Sequence, residues 1–384
     1  MAINPYTSML FKVDWLSLVI EPSNDLDEHK KPFKLLRYLG YNLSDFDRTS
    51  SGRFFLNSGL NLGNYLMVYY DDVSKDVSKN SSHLVVYVFT GQGSTDLAKK
   101  LNKKYKTDDW QLAWIKFFRH LKRIKARVTR IDAAVDDFYG ALDMFKIEKK
   151  IRAKEMRSSR RRFNIIKQLD SAGDVKGFTI YVGQSRGKVS KNGNYYCRFY
   201  DKRAQYISKN AVLPKEVENL DSGGGTNHWV RAEIAFQKAK AQNFVNEVLN
   251  TGSFGIVYRA VMRDIVEFLV KPRKGNINKS RWKVCDWWEK FLDGVEKTNL
   301  SDPERDLDLG RLLHWIRVSV VGSIKLLEVL GKEKNFNVYN LISQCDNVEF
   351  SKKQERLLND ARAMSKEEIA FYLKQFKQGY KKDD

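Results

Sequence analysis

Residues 129 to 138 read TRIDAAVDDF, and their alternation decides the fold. On a strand, neighbouring side chains point to opposite faces. Arg130, Asp132, Ala134 and Asp136 therefore share one face, and Ile131, Ala133, Val135 and Asp137 share the other. Two carboxylates on one face of an otherwise apolar strand are costly to bury without compensation. Two compensations fit these residues. A divalent cation, Mg²⁺ or Mn²⁺, takes oxygen ligands of this kind; alternatively, Arg130 pairs with Asp132 as a structural bridge.

The same signature recurs downstream. In HWVRAEIAF (228–236), Trp229, Arg231, Glu233 and Ala235 share a face, so an acid again follows an arginine in an apolar strand. If the two strands are adjacent, Asp132, Asp136 and Glu233 converge. Arg130 and Arg231, next to these acids, are candidates for DNA contact. Asp14, in KVDWLSL, is a weaker fourth acid whose plainer role is a polar residue at a strand edge.

A third strand, NYYCRFYDKRAQ (194–205), places Tyr196, Arg198, Tyr200 and Lys202 on one face and Tyr195, Cys197 and Phe199 on the other, which suits a core. Tyr200 is the tyrosine most surrounded by cations. A phenol has an ordinary pKa of about 10 and attacks poorly at neutral pH until a cation stabilises phenolate. Arg198 and Lys202 are placed to hold the same phosphate; the competing reading is a packed tyrosine between solvated cations. The run RSSRRRF (157–163), with Arg157, Arg160, Arg161 and Arg162, either tracks a DNA backbone or forms a solvated basic face.

Further strands are expected over Lys12 to Ile20, Arg53 to Leu56, Asn64 to Tyr70, His83 to Thr90 and Phe178 to Val182, and helices over Trp110 to Lys125 and Leu142 to Glu155. GQGSTD (91–96) reads as a turn. GQSRGK (183–188) falls short of a P-loop, so no ATPase is expected. SGGGT (222–226) reads as a flexible link. Consecutive strands without helices between them predict an α+β fold with a largely antiparallel central sheet and flanking helices. After Lys238 the pattern turns helical, which predicts a catalytic domain over 1–250 and a mostly α-helical C-terminal domain over 251–384. LLHWIRVSVVGSIKLLEVL (312–330) is apolar on most faces and predicts a buried helix. In RWKVCDWWEKF (281–291), core packing is the first reading of the tryptophans and base stacking the second.

Bulk composition narrows the partners. Lys plus Arg number 68 and Asp plus Glu 47, a formal charge of +21. Such a surface attracts polyanions and releases their counterions. No apolar run approaches the ~18–20 residues of a membrane span, and the N-terminus carries no secretory signature. Nucleic acid is therefore the expected partner, not membrane. Three cysteines, widely spaced, predict no disulfide framework and fit a reducing cytoplasm. The five histidines are scattered without a His-x-His pair, so a catalytic metal is expected to rest on acids.

Taken in order and spacing, TRIDAAVDDFYG, YVGQSRG, YYCRFYDKRAQ and HWVRAEIAF resemble the replication initiation factors of rolling-circle plasmids and filamentous phages, the Rep-trans family. VDWLSLVI, FTGQGS and RWKVCDWWEKFL extend the resemblance over roughly residues 10–295. It implies an enzyme that nicks one strand at the origin with a tyrosine, stays joined to the 5′ phosphate and leaves a 3′ hydroxyl as primer. Tyr200 matches the motif tyrosine, and Asp132 and Glu233 match the metal-binding acids, with Asp136 as a third. The family also includes relaxases of conjugative elements, many with an added N-terminal DNA-binding domain; a chain that opens almost on its first strand favours replication. The resemblance implies origin DNA, single-stranded or extruded, as substrate, with a host helicase and a homodimer as further partners. A non-catalytic DNA-binding copy-control protein on the same fold is the alternative from a different class.

Overall fold

Short alternating segments, rather than continuous apolar runs, build the centre of the molecule. The computed structural model describes residues 9–20, 31–49, 52–54, 56–72, 84–183, 195–210, 217, 227–272, 278–293, 309, 312–313, 316–345, 349–350, 352–363 and 366–378. In chain order the elements are β1 (Leu10–Ile20), α1 (Lys31–Tyr38), β2 (Asp47–Thr49), β3 (Ser58–Leu62), β4 (Leu66–Tyr70), β5 (Val85–Phe89), α2 (Gly91–Tyr105) and α3 (Trp110–Arg123). Then come β6 (Arg127–Asp137), α4 (Met144–Arg152), β7 (Met156–Ser158), β8 (Phe163–Leu169), β9 (Val175–Val182), β10 (Tyr195–Asp201), α5 (Lys202–Asn210) and β11 (Val230–Gln237). They are followed by α6 (Ala239–Thr251), α7 (Phe254–Ile265), β12 (Val266–Phe268) and α8 (Asp286–Leu292).

Ten strands form one sheet in the order β2-β3-β4-β5-β1-β6-β11-β10-β9-β8. Its neighbours pair antiparallel, and β12 and β7 make a separate pair. The chain is α+β with a large antiparallel sheet and flanking helices, as its strand spacing predicts. One face of the central strands is apolar. Val13, Leu16, Ile131, Ala133, Val135, Cys197, Phe199, Ala232, Ile234 and Phe236 join a core with Trp114, Phe117 and Phe118 of α3 and Phe244, Val257 and Tyr258 of α6 and α7. The opposite face of the same strands is polar, and the candidate site lies there.

A β-bulge in β1 shapes that polar face. The register against β6 shifts between Val13 and Trp15. The extra residue lets consecutive side chains, Asp14 and Trp15, both address the polar face, while Val13 and Leu16 stay in the core.

Two expectations change. GQGSTD is the first turn and a half of α2 rather than a turn. Its glycines serve close packing: a Cβ on Gly93 would sit 2.0 Å from the Tyr65 carbonyl oxygen. Among the described residues of 53–56 there is no strand. The chain turns there, with Phe54 at φ 60°, and the strand begins at Ser58. The chain divides into two compact units, Met1–Asp302 and Pro303–Asp384. Phe244, Val248, Phe254 and Val261 of the first post-sheet helices are part of the sheet's own core. Ser222–Thr226 and Gln184–Lys188 lie outside the described residues.

Within the second unit, α9 (Val321–Lys334) is not the buried helix its composition suggests. Leu326 is 64% and Val329 59% exposed. Its apolar residues are spread around the helix between Lys325, Glu328 and Lys332 instead of gathered on one stripe.

Gly93→Ala is expected to destabilise the fold by about 1–3 kcal/mol through overpacking against fixed backbone. Urea denaturation should show a lower midpoint with an unchanged slope.

Candidate active site

Three adjacent strands bring the alternating patterns into phase. Across β11 and β6, Arg231 faces Asp136, Glu233 faces Ala134, and Ala235 faces Asp132. Across β10 and β11, Tyr200 faces Arg231 and Arg198 faces Glu233. Asp132 is thus the diagonal neighbour of Glu233, within reach of its charge.

Every acid on this face has a guanidinium. Arg130 donates to both oxygens of Asp132, Nε to Oδ1 at 2.9 Å and Nη2 to Oδ2 at 2.6 Å. The Arg130 plane also lies 4.2 Å from the Trp15 ring centre. Arg231 donates Nε and Nη2 to Asp136 at 2.5 and 2.7 Å and Nη1 to Asp14 at 2.6 Å. Arg198 donates to Glu233 Oε1 at 2.6 Å. The other oxygen, Oε2, accepts the Tyr200 hydroxyl at 3.1 Å. Glu233 is 0% and Arg231 1% exposed, so this network is dry.

Burial and charge set the ionisation states. Desolvation, reinforced by the charge of Glu233, carries Asp132 up to about 7 despite its bond to Arg130. Desolvation would also raise Asp14, but Arg231 and Lys12 overcome it and hold the carboxyl at about 2. Tyr200 is 3% exposed; burial and the Glu233 carboxylate push its phenol well above the usual range, while Arg231 and Arg198 pull the other way. Lys202 is brought down to about 8, first by burial and then by the charge of Arg231.

The candidate residues sort as follows. Asp132, Asp136, Glu233, Arg130, Arg198, Arg231 and Tyr200 meet on one face. Lys202 joins them from the first position of α5 rather than from the strand. Its Nζ is 5.7 Å from the Tyr200 ring centre and donates to Gln205 at 2.8 Å. Asp14 and Lys12 belong to the site through the bulge; their signal in the sequence was a polar pair in an otherwise apolar strand. Tyr200 also lines a cavity of about 260 Å³ with Gln168, Thr179, Gln205 and Ser208, at the open edge of the site.

Two candidates for DNA contact are otherwise occupied. Arg231 is enclosed and divided between two acids, so it organises the site instead of touching a polyanion. Arg157 bridges Glu267 at 2.7 Å and the Ser280 carbonyl at 3.0 Å. Arg160 stacks 3.8 Å from the Tyr195 ring centre, while Arg161 and Arg162 are exposed. His228 bonds Asp137 at 3.1 Å on the other side of β6, where Asp137 also accepts the Leu142 and Tyr139 amides; this is a structural clamp. In the tryptophan segment, Trp288 is core.

Among the described residues, no three His, Cys, Asp or Glu side chains are grouped to hold a metal ion. Asp136 in particular has both oxygens on Arg231.

A family model described as replication initiation factor matches residues 126–342. No curated protein matches the chain. A solved structure of a rolling circle replication initiator protein from Geobacillus stearothermophilus is similar at 22% identity and a TM-score of 0.57, covering 77% of this chain and 99% of that one. At that identity the likeness speaks to the fold.

Two measurements test the charge network. Arg231→Leu leaves Asp136 without a partner and Asp14 with only Lys12, at 3.7 Å, and should cost about 3–5 kcal/mol of stability. Asp14 has a folded pKa below its unfolded value. Its contribution is therefore present above the unfolded value and is lost as pH falls through about 2. It amounts to roughly 2 kcal/mol, and Asp14→Asn should flatten that part of the acid limb in denaturation curves.

Proposed function

The chain belongs to the replication initiation factor family, and from that premise we propose that it starts rolling-circle replication by cutting and rejoining one DNA strand through Tyr200. The observation that carries this reading is the 3.1 Å bond from the Tyr200 hydroxyl to Glu233 Oε2, beside Arg198. A phenol held well above its usual pKa does not ionise unaided at neutral pH. It needs an acceptor for its proton and positive charge around the phosphate, and both are at hand.

In the proposed step the Tyr200 oxygen attacks phosphorus while its proton passes to Glu233. The bond from phosphorus to the 3′ oxygen breaks. That oxygen leaves as a hydroxyl, with Lys202, near pKa 8, suited to lend it a proton. One phosphodiester is exchanged for one phosphotyrosine, so rejoining is the reverse reaction and consumes no nucleotide. Arg198 stabilises the charge that grows on the phosphate oxygens. Arg231, across the strand pair from Tyr200, opposes the effect of the Glu233 carboxylate on the phenol.

Asp132 and Glu233 are the oxygen donors nearest to what a hard divalent cation needs, and burial, reinforced by Glu233, raises Asp132. Both are engaged, Asp132 by Arg130 and Glu233 by Arg198 and Tyr200, so a cation would have to displace those partners. Mg²⁺ is commonly held by one or two carboxylates plus substrate phosphate oxygens rather than by a closed protein cage. Bound there, it would polarise the phosphate. Asp136 is not part of this proposed pair, because its partner Arg231 is fully enclosed, whereas Arg130 and Arg198 are partly exposed and can swing aside.

The test uses labelled single-stranded oligonucleotides tiled across the encoding replicon, with magnesium or manganese chloride. Tyr200→Phe should give no covalent adduct on denaturing gels while retaining DNA binding, and Tyr196→Phe should still give one. Glu233→Gln should slow adduct formation by at least about a hundredfold. An adduct that persists in Tyr200→Phe moves the nucleophile elsewhere.

A further inference from the structure

We propose that the outer face of α2 and α3, on the far side of the sheet from Tyr200, is a second DNA-binding surface that grips the phosphate backbone of a duplex segment. Both helices lie against the apolar face: Leu97, Leu101, Trp114, Phe117, Phe118 and Leu121 are in the core that contains Ile131 and Ala133. What they turn outward is almost wholly cationic. α2 carries Lys99, Lys100, Lys103 and Lys104 against one carboxylate, Asp96. α3 carries Lys116, Arg119, Lys122 and Arg123 against none. Asp96 is engaged by the Tyr41 hydroxyl at 2.8 Å.

The charges are concentrated as well as numerous. Lys116, Arg119, His120 and Arg123 follow one another at helical spacing and line a cavity of about 340 Å³ with Tyr38 and Tyr105. Among the described residues no carboxylate pairs with Lys104, Lys116, Arg119 or Arg123. Arg123 instead meets the His120 ring at 2.8 Å. Partial burial and then the charges of Arg123 and Lys104 push that imidazole down. Unpaired like charges held this close are an electrostatic cost that an incoming polyanion removes.

The aromatics choose between backbone and bases. Tyr38 is stacked on His120 with ring centres 3.7 Å apart, and Lys104 lies 3.7 Å from the Tyr38 ring centre. Its hydroxyl meets Tyr105's at 2.8 Å. Single-strand binders keep free aromatic faces for stacking bases; Tyr38 is already occupied by the protein. Phosphates, not bases, suit this surface. Its place behind the sheet assigns it a different DNA segment from the strand at Tyr200.

The inference does not depend on which residue is the nucleophile. The test is a triple variant, Lys116→Ala, Arg119→Ala and Arg123→Ala, with circular dichroism and thermal melts confirming the fold. A blunt duplex of random sequence is titrated over a range of salt. Each lost phosphate contact lowers the magnitude of the slope of log affinity against log salt by about 0.9, so a fall of about 2–3 is expected. Affinity at low salt should drop at least about tenfold. Lys116→Arg with Arg119→Lys and Arg123→Lys should keep most of both. Adduct formation on a short single-stranded oligonucleotide should be unchanged. An unaltered slope and affinity in the alanine variant would overturn the surface. An equal loss of adduct on the short oligonucleotide would place these cations in the path of the cut strand and overturn its separateness.

Discussion

One guanidinium organises the polar face of the sheet. Arg231 is enclosed between β6 and β10, and its three donor nitrogens are divided between Asp136 and Asp14. That division fixes the other charges. Asp136 is paired, Asp14 is kept ionised, and Lys202, already lowered by burial, is lowered further. A lysine in this place would supply one point charge; only a planar fork satisfies a bidentate acid and a second one together.

Stability alone does not account for such a network. Buried ion pairs regain their desolvation cost only with close geometry, and apolar replacements of similar volume are commonly neutral or better. The reverse face of the same strands demonstrates the alternative, since Ile131, Ala133, Val135, Ala232 and Ile234 make an ordinary core. A sheet with one apolar face and one dry, charged face pairs a rigid scaffold with a preorganised electrostatic field, which is what phosphoryl transfer requires of a protein. The bulge at Asp14 belongs to this economy: one inserted residue adds an acid to the polar face without removing Val13 or Leu16 from the core.

Basic charge serves the molecule in two ways. At the candidate site, Arg130, Arg198 and Arg231 are matched by carboxylates. On α2 and α3, lysines and arginines stand without such partners among the described residues. A formal charge of +21 does not distinguish the two roles; pairing does.

The strands that form the site were legible because their period is two and their exceptions are chemical. Arg-x-Asp and Arg-x-Glu in apolar alternation announced a shared polar face, and Tyr200 between Arg198 and Lys202 announced its phenol. α2 was not legible, because glycines at 91 and 93 read locally as a turn; Gly93 is needed where the helix passes the Tyr65 carbonyl. The reach of the sheet's core was not legible for a similar reason. Helical periodicity after Lys238 says nothing of which core a helix joins, and Phe244 and Phe254 join the sheet's. Composition likewise overstated α9, whose apolar residues are not on one side.

By itself the sequence determined which side chains share a strand face, since that follows from backbone geometry alone. It determined the sign of the surface and the family. Only the tertiary structure decided which arginine holds which acid. Apart from Arg130 and Asp132, a local bridge that the sequence offered, that depends on strand order and register, which bring together residues 35, 95 and 217 positions apart: Arg198 and Glu233, Asp136 and Arg231, Asp14 and Arg231. No local rule spans those distances, because pairings of this kind are selected by the packing of the whole sheet.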